Sequence, residues 1–394
     1  MYSFLEDVKS HPHLKAFAII PKVGGSLSII GSVFLIRDVI LTMKEHSTIP
    51  LTTKIITLIT VANLFMAFWE DFLSTWMVPA DSLAFMAAGN ITTCNFQGFI
   101  SASAYMIVTT AYTMLSVLYY ITVARKDWTT QKTRSMPAIF FFLIMPVIIG
   151  LGTAIPLYLT QQFNFNGMYS CNIAAYPLHC EWYEDIPCTR GTNASYILSV
   201  FFLYIIACVV FMIIFLVLLL CKVKKEAAKA VKCEYAAALG ERRHPVASQA
   251  LHYLGAFFFP NLASIISGVL YIFNKELSYK GVLIVVYIYA ILWPLFGFLN
   301  SIVYFRLRYK SEKRNMPNAS LTCLIGKTLS ITPLSSLSAE LDSIPPRISS
   351  SLIDDEDDLF GPLLRGESDT VSNNVIDPYA SSATETTLTD NYVL

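Results

Sequence analysis

Residues 94–125 read CNFQGFISASAYMIVTTAYTMLSVLYYITVAR, and the other apolar runs of the chain make best sense as a bundle around this one. It opens with Cys94 just after the sequon Asn90-Ile91-Thr92. It then carries Gln97, Gly98, Ser101, Ser103, Thr109, Thr110, Thr113 and Ser116, and closes on Arg125 and Lys126. A lipid-facing helix can be uniformly apolar, whereas interfaces between helices in a bilayer favour small residues and hydroxyls. The stretch therefore predicts a buried, central spanning helix. It exceeds the roughly 20 residues that cross the hydrocarbon core, so a tilt is expected.

Composition agrees with a membrane setting. The chain has 394 residues, 55% hydrophobic and 14% charged, with a mean hydropathy of +0.54, which excludes an ordinary soluble domain. The first residues hold Glu6, Asp7, Lys9 and Lys15 and lack the apolar core of a signal peptide. The first spanning helix is thus expected to direct insertion. Seven apolar runs reach spanning length: about Phe17 to Thr42, Leu51 to Leu73, Cys94 to Arg125, Ser135 to Thr160, Ser195 to Cys221, Gln249 to Phe273 and Gly281 to Tyr304. The expected fold is an all-α membrane protein, a seven-helix bundle.

Basic residues orient it. With the N-terminus outside, Lys44, Arg125, Lys126, Lys132, Arg134, the stretch from Lys222 to Arg243 and that from Arg306 to Arg314 all fall inside. Only Lys9, Lys15, Arg190, Lys275 and Lys280 fall outside. The sequons at Asn90 and Asn193 then lie outside as candidate glycosylation sites, and the one at Asn318 lies inside and is discounted. The expected organisation is an outer N-terminus over 1–16, the bundle over 17–305, a short basic helix along the inner leaflet over 306–314, and a cytosolic tail over 315–394. The tail is rich in Ser, Thr, Asp and Pro and cannot bury enough apolar surface to fold. The plasma membrane is the expected location.

Four cysteines fall on the outer side: Cys94, Cys171, Cys180 and Cys188. An even count in an oxidising compartment predicts two disulfides, with three possible connectivities. The favoured one pairs Cys94 with Cys171, tying the third helix to the second outer loop, and Cys180 with Cys188. A zinc site at His179, Cys180 and Cys188 is the rival reading, but no ligand-pair spacing supports it.

Three stretches suggest a family. Gly25-Ser26-Leu27-Ser28-Ile29-Ile30-Gly31-Ser32, Cys94-Asn95-Phe96-Gln97-Gly98-Phe99 and Gly297-Phe298-Leu299-Asn300-Ser301-Ile302-Val303-Tyr304 resemble the cyclic-AMP-receptor-like G-protein-coupled receptors of amoebae and other protists, which are related to the secretin-like class. The resemblance spans about Gly25 to Arg308. It implies a receptor that passes an extracellular signal to a heterotrimeric G protein through movement of the sixth helix. The third helix ends Tyr119-Tyr120-Ile121-Thr122-Val123-Ala124-Arg125 without the acidic-arginine-aromatic triplet of rhodopsin-like receptors, and the seventh lacks their asparagine-proline pair. No cyclic-AMP-binding set matches, so the resemblance leaves the ligand open.

Polar groups at membrane depth are costly to bury and mark candidate sites. Glu70, Asp71, Trp76, Gln97, Ser101, Tyr105, Tyr287 and Trp293, with Tyr289, are the candidate ligand pocket, an aromatic cup with an acidic wall. Such a wall suits a cationic or hydrogen-bond-donating ligand and repels an anionic cyclic nucleotide. The bland alternative makes the carboxylates a helix end and the aromatics an interfacial belt. Pro260 and Pro294 are candidate kinks. Arg125, Lys126, Arg242 and Arg243 are candidate G-protein contacts, or simply the charges that set topology. Cys323 is a candidate for palmitoylation. Phosphorylation of the tail by a kinase would present negative charge to an arrestin-like partner.

Other classes fit less well. A retinal protein needs a lysine in the last helix, and Gly281 to Tyr304 holds none. A metallohydrolase is disfavoured because His252 is the only histidine in a spanning run, so no enzymatic activity, metal or cofactor is expected. No nucleic-acid partner is expected either. A transporter or channel not coupled to G proteins is the main alternative.

Overall fold

The computed structural model describes residues 12–45, 49–82, 84–124, 136–177, 180, 187–230, 248–262, 266 and 279–315. All lie within the compact unit Met1–Ile344. Among the described residues six helices are long and apolar enough to cross a membrane, so the chain is a multi-pass membrane protein. They are α1 (Pro12–Glu45), α2 (Leu51–Phe72), α3 (Ile91–Ala124), α4 (Met136–Leu159), α5 (Ala194–Ala230) and α7. The last runs as Tyr279–Leu292, a 3-10 turn at Trp293–Leu295, and Phe296–Asn315. Between α5 and α7 lies a shorter helical run, α6, over 248–262. The remainder of the expected sixth span falls outside the described residues, as do Arg125, Lys126, Arg242, Arg243, Cys323 and the tail from 316.

The third helix is central, as its composition predicted. Of its spanning window 61% is buried, against 28% in α4 and 22% in α5. Its neighbours are α2, α4 and α5. Leu203, Val210, Phe211, Ile214 and Val217 leave one side of α5 apolar and exposed, as suits a helix facing lipid.

Two of the stretches that carry the family resemblance meet in space. A Cβ added to Gly31 would lie 2.8 Å from Ser301 Oγ, and one added to Gly297 would lie 2.9 Å from Ser32 Oγ. Small residues thus let α1 and α7 approach closely. Within this seam the Ser28 hydroxyl donates to the carbonyl of Pro294 and accepts from the Phe298 N–H at 3.1 Å. Pro294 supplies no N–H of its own, and here a side chain from α1 enters the backbone ladder of α7. That accounts for the 3-10 interruption at Trp293–Leu295. Pro260 is buried within α6, which stays helical to 262.

The basic segment 306–314 is not a separate helix: α7 continues without a break from Phe296 to Asn315. Arg306 is bound into the bundle, with Nη1 3.4 Å from Ser248 Oγ of α6. Further ties cross the bundle at other depths. Tyr304 OH donates to Asp38 Oδ2 at 2.9 Å, Tyr105 OH to Asn261 Oδ1 at 2.8 Å, and Tyr112 OH to Asn300 Oδ1.

At the other end of the bundle a two-stranded antiparallel hairpin, β1 (Phe163–Phe165) and β2 (Cys171–Ile173), lies against α3 with Phe163 opposite Ile173. Cys94 is disulfide-bonded to Cys171, and Cys180 to Cys188, each pair with Cα atoms 5.3 Å apart. The favoured connectivity is the one present, and it leaves no thiolates for the rival zinc reading.

Candidate functional site

A cavity of about 90 Å³ opens beneath the hairpin. Glu70 of α2, Ser101, Ala102 and Tyr105 of α3, Asn172 of β2, Leu198, Phe201, Phe202 and Ile205 of α5, and Tyr289 and Trp293 of α7 line it. It is therefore built where the central helix meets three others under a strand held down by the Cys94–Cys171 bond.

Glu70 reaches this cavity because α2 changes its winding. From Leu51 to Met66 the helix is regular, over Ala67–Phe72 it widens into a π-helix, and over Ser74–Met77 it tightens to a 3-10 turn. Ser74 has φ 42°, the left-handed region that a non-glycine residue seldom enters. These changes give the adjacent carboxyls different neighbours while leaving each within reach of the other's charge. Glu70 is buried in the cavity wall, while the Cβ of Asp71 lies 2.7 Å from where a Cβ on Gly25 of α1 would be. Asp71 Oδ1 has no hydrogen-bond partner.

Polar groups gather around Glu70 without being consumed by one another. Ser101 and Trp293 face its carboxyl, yet Ser101 Oγ and Trp293 Nε1 are buried with no hydrogen-bond partner. The aromatic walls are close-set. The ring of Trp293 lies 4.9 Å from Tyr105 and 5.2 Å from Tyr289, and Tyr105 lies 6.2 Å from Phe201. Above them Tyr169, from the turn between β1 and β2, stands 6.3 Å from Tyr289. Burial holds its phenol well above the ordinary tyrosine pKa, so it stays neutral at physiological pH.

Of the sequence candidates, Glu70, Ser101, Tyr105 and Trp293 meet at the cavity, and Tyr289 with them. Four do not line it. Gln97 is fully buried and spent on structure: its Nε2 donates to Trp69 O at 2.7 Å and to Ser74 O at 3.0 Å, and its Oε1 accepts the Cys171 N–H at 2.9 Å. Trp76 lies under the ammonium of Lys22, 4.2 Å from the ring centroid. Tyr287 points instead to α1, bonding His13 Nδ1 at 2.7 Å and packing on Phe17 at 4.8 Å. Asp71 faces α1.

The sequence held a signal for this division. Ser101 and Tyr105 are four apart, as are Tyr289 and Trp293, so each pair shares a helix face, whereas Tyr287 is two residues from Tyr289 and faces elsewhere. The α5 wall carried no such signal, because an unbroken apolar run does not say which side faces inward. Lys22 carried no sequence signal of its role either. It lies within the first span, where Nζ donates to the carbonyls of Phe72 at 3.3 Å and Leu73 at 3.1 Å, placing positive charge at the end of α2.

No known family model matches this sequence, and no curated protein matches it. Among the described residues no three His, Cys, Asp or Glu side chains come together to hold a metal ion.

Proposed function

We propose that this chain is a G-protein-coupled receptor in which a ligand entering beneath the hairpin biases α7 and, through it, α6. One observation supports this reading above the rest: Trp293 both lines the cavity and begins the 3-10 interruption of α7. A ligand that touches it touches the least regular part of a helix whose far end is bound to α6 through Arg306 and Ser248. A signalling protein needs such an element, with two arrangements that a ligand can bias. In this reading the disulfide-bearing end faces outside at the plasma membrane. The basic inner face, including Arg125, Lys126, Arg242 and Arg243, meets a heterotrimeric G protein. Phosphorylation of the tail then recruits arrestin-like partners.

The rival is a transporter, favoured by irregular winding in both α2 and α7 beside two buried carboxyl groups. Heterotrimer dissociation, followed by resonance energy transfer in cells displaying the protein, separates the two while a panel of extracellular metabolites is applied. The receptor reading expects a ligand-dependent signal that Trp293→Ala abolishes with surface display intact. Uptake into proteoliposomes without any G-protein capture, even in the absence of nucleotide, would sink it.

A further inference from the structure

Among the described residues the cavity has an acid and no base: Glu70 is the one ionisable carboxyl in its lining, and no described Lys, Arg or His lines it. Lys22 donates to the end of α2, and Arg190, whose Nε donates to Asn164 Oδ1 at 3.0 Å, lies outside the lining although its Nη2 is unpaired. A buried carboxyl ionises only when a cation pairs with it and otherwise stays protonated, so a cationic ligand is the partner that would let Glu70 carry its charge. The remaining walls describe that partner. Tyr105, Phe201, Phe202, Tyr289 and Trp293 present aromatic rings, whose negative faces attract a desolvated cation. Ser101 Oγ faces the Glu70 carboxyl without a hydrogen bond of good geometry, so it can donate to or accept from a ligand placed between them.

We infer that the cavity binds a compact organic ammonium ion, its N–H donors directed to Glu70 and Ser101 and its alkyl surface held by Tyr105, Tyr289 and Trp293. Trp293 Nε1 then donates to the second carboxylate oxygen of Glu70. An inorganic cation fits poorly, since aromatic walls supply few of the six or so oxygens that a hard ion requires. An anion would meet the carboxylate with no countercharge among the described lining residues, and the volume of about 90 Å³ suits a compact amine. This inference rests on reading the cavity as the receptor's ligand site and names the ligand class.

The test uses the full chain in nanodiscs of neutral lipid. Methylammonium and ethanolammonium chloride are titrated by calorimetry against sodium chloride, neutral ethylene glycol and anionic glycolate. Saturable binding of the ammonium probes alone is expected. Glu70→Gln keeps the shape of a neutral acid and is expected to weaken binding by about tenfold or more. Ser101→Ala is expected to weaken it by a smaller factor, and both variants must elute as monodisperse protein. Ammonium binding unchanged in the Gln variant, glycolate binding as well as ethanolammonium, or no ammonium binding at millimolar concentration overturns the inference. Ammonium binding by a protein that captures no G protein would instead overturn the receptor reading and leave this one standing. G-protein activation by an anionic ligand would do the reverse.

Discussion

At the scale of single residues, two neighbours on α3 with similar polarity have opposite duties. Gln97 joins the end of α2 to the first residue of β2 through three hydrogen bonds, whereas the hydroxyl of Ser101, one turn on, only faces the Glu70 carboxyl without a bond of good geometry. Gln97→Leu removes all three and strands the Cys171 N–H, a loss of about 2–4 kcal/mol. Ser101→Ala is expected to change stability by less than about 0.5 kcal/mol. With Cys221, Cys233 and Cys323 replaced by Ser, the buried free thiol of Cys208 offers the readout, since a thiol-reactive dye then labels the protein only as the bundle opens on heating. Equal melting points for the two variants would show that Gln97 is no clamp. Both residues were legible in the sequence as polar groups inside an apolar run. Their separation into clamp and cavity was not, because it depends on the carbonyls of Trp69 and Ser74, which only the non-standard winding of α2 brings within reach.

At the scale of elements, packing depends on close approaches that a single methyl group tests. In α4, a Cβ on Gly150 would lie 2.5 Å from Ile107 Cγ1 and 2.7 Å from the backbone oxygen of Ser103, whereas one on Gly152 would meet nothing within 4 Å. Gly150→Ala is therefore expected to cost about 1–3 kcal/mol by overpacking. Gly152→Ala should be neutral or stabilise by up to about 1 kcal/mol through helix propensity. Melting of the two variants side by side checks this, and any ordering other than Gly152→Ala above Gly150→Ala contradicts the packing of α4 on α3. The interruption of α7 makes a second prediction. Ser28→Ala removes the hydroxyl between Pro294 and Phe298, so amide exchange across 293–298 should quicken. Ser26→Ala, whose hydroxyl serves only its own helix at Lys22 O, should leave that peptide unchanged. The apolar runs and the proline were visible in the sequence. The π-helix at Ala67–Phe72 was not, since no residue pattern distinguishes a turn of wider winding, and without it Glu70 and Asp71 read as one acidic pair.

At the scale of the molecule, the hairpin and its disulfides decide how the cavity is roofed. The sequence signalled both bonds through four cysteines in segments that share a side, and Cys94–Cys171 closes a far longer loop than Cys180–Cys188, with separations of 77 and 8 residues. In the chain-entropy picture these are worth about 4–5 and about 2–3 kcal/mol, upper bounds here because inserted helices already restrict the unfolded chain. Position widens the gap. Cys171 is the first residue of β2, next to Asn172 in the cavity wall, whereas Cys180 and Cys188 join an apolar cluster with Phe163 and Ile173 that meets the cavity only through other residues, Ala102, Leu198 and Phe201. Replacing Cys94 and Cys171 by Ser should lower the melting point more than replacing Cys180 and Cys188, and should expose the segment 163–173 to protease added from the disulfide side of sealed vesicles. The same vesicles report orientation. Asn90 is exposed and caps α3 through Oδ1, which accepts from the N–H groups of Thr92 and Thr93 at 2.9 Å each, so a glycan on its nitrogen leaves the cap intact. A glycosidase-sensitive mass shift that Asn90→Gln and Asn193→Gln together remove would put the roofed end outside. Protease cutting 163–173 only from the opposite face would invert the molecule and close the route by which an extracellular cation reaches Glu70.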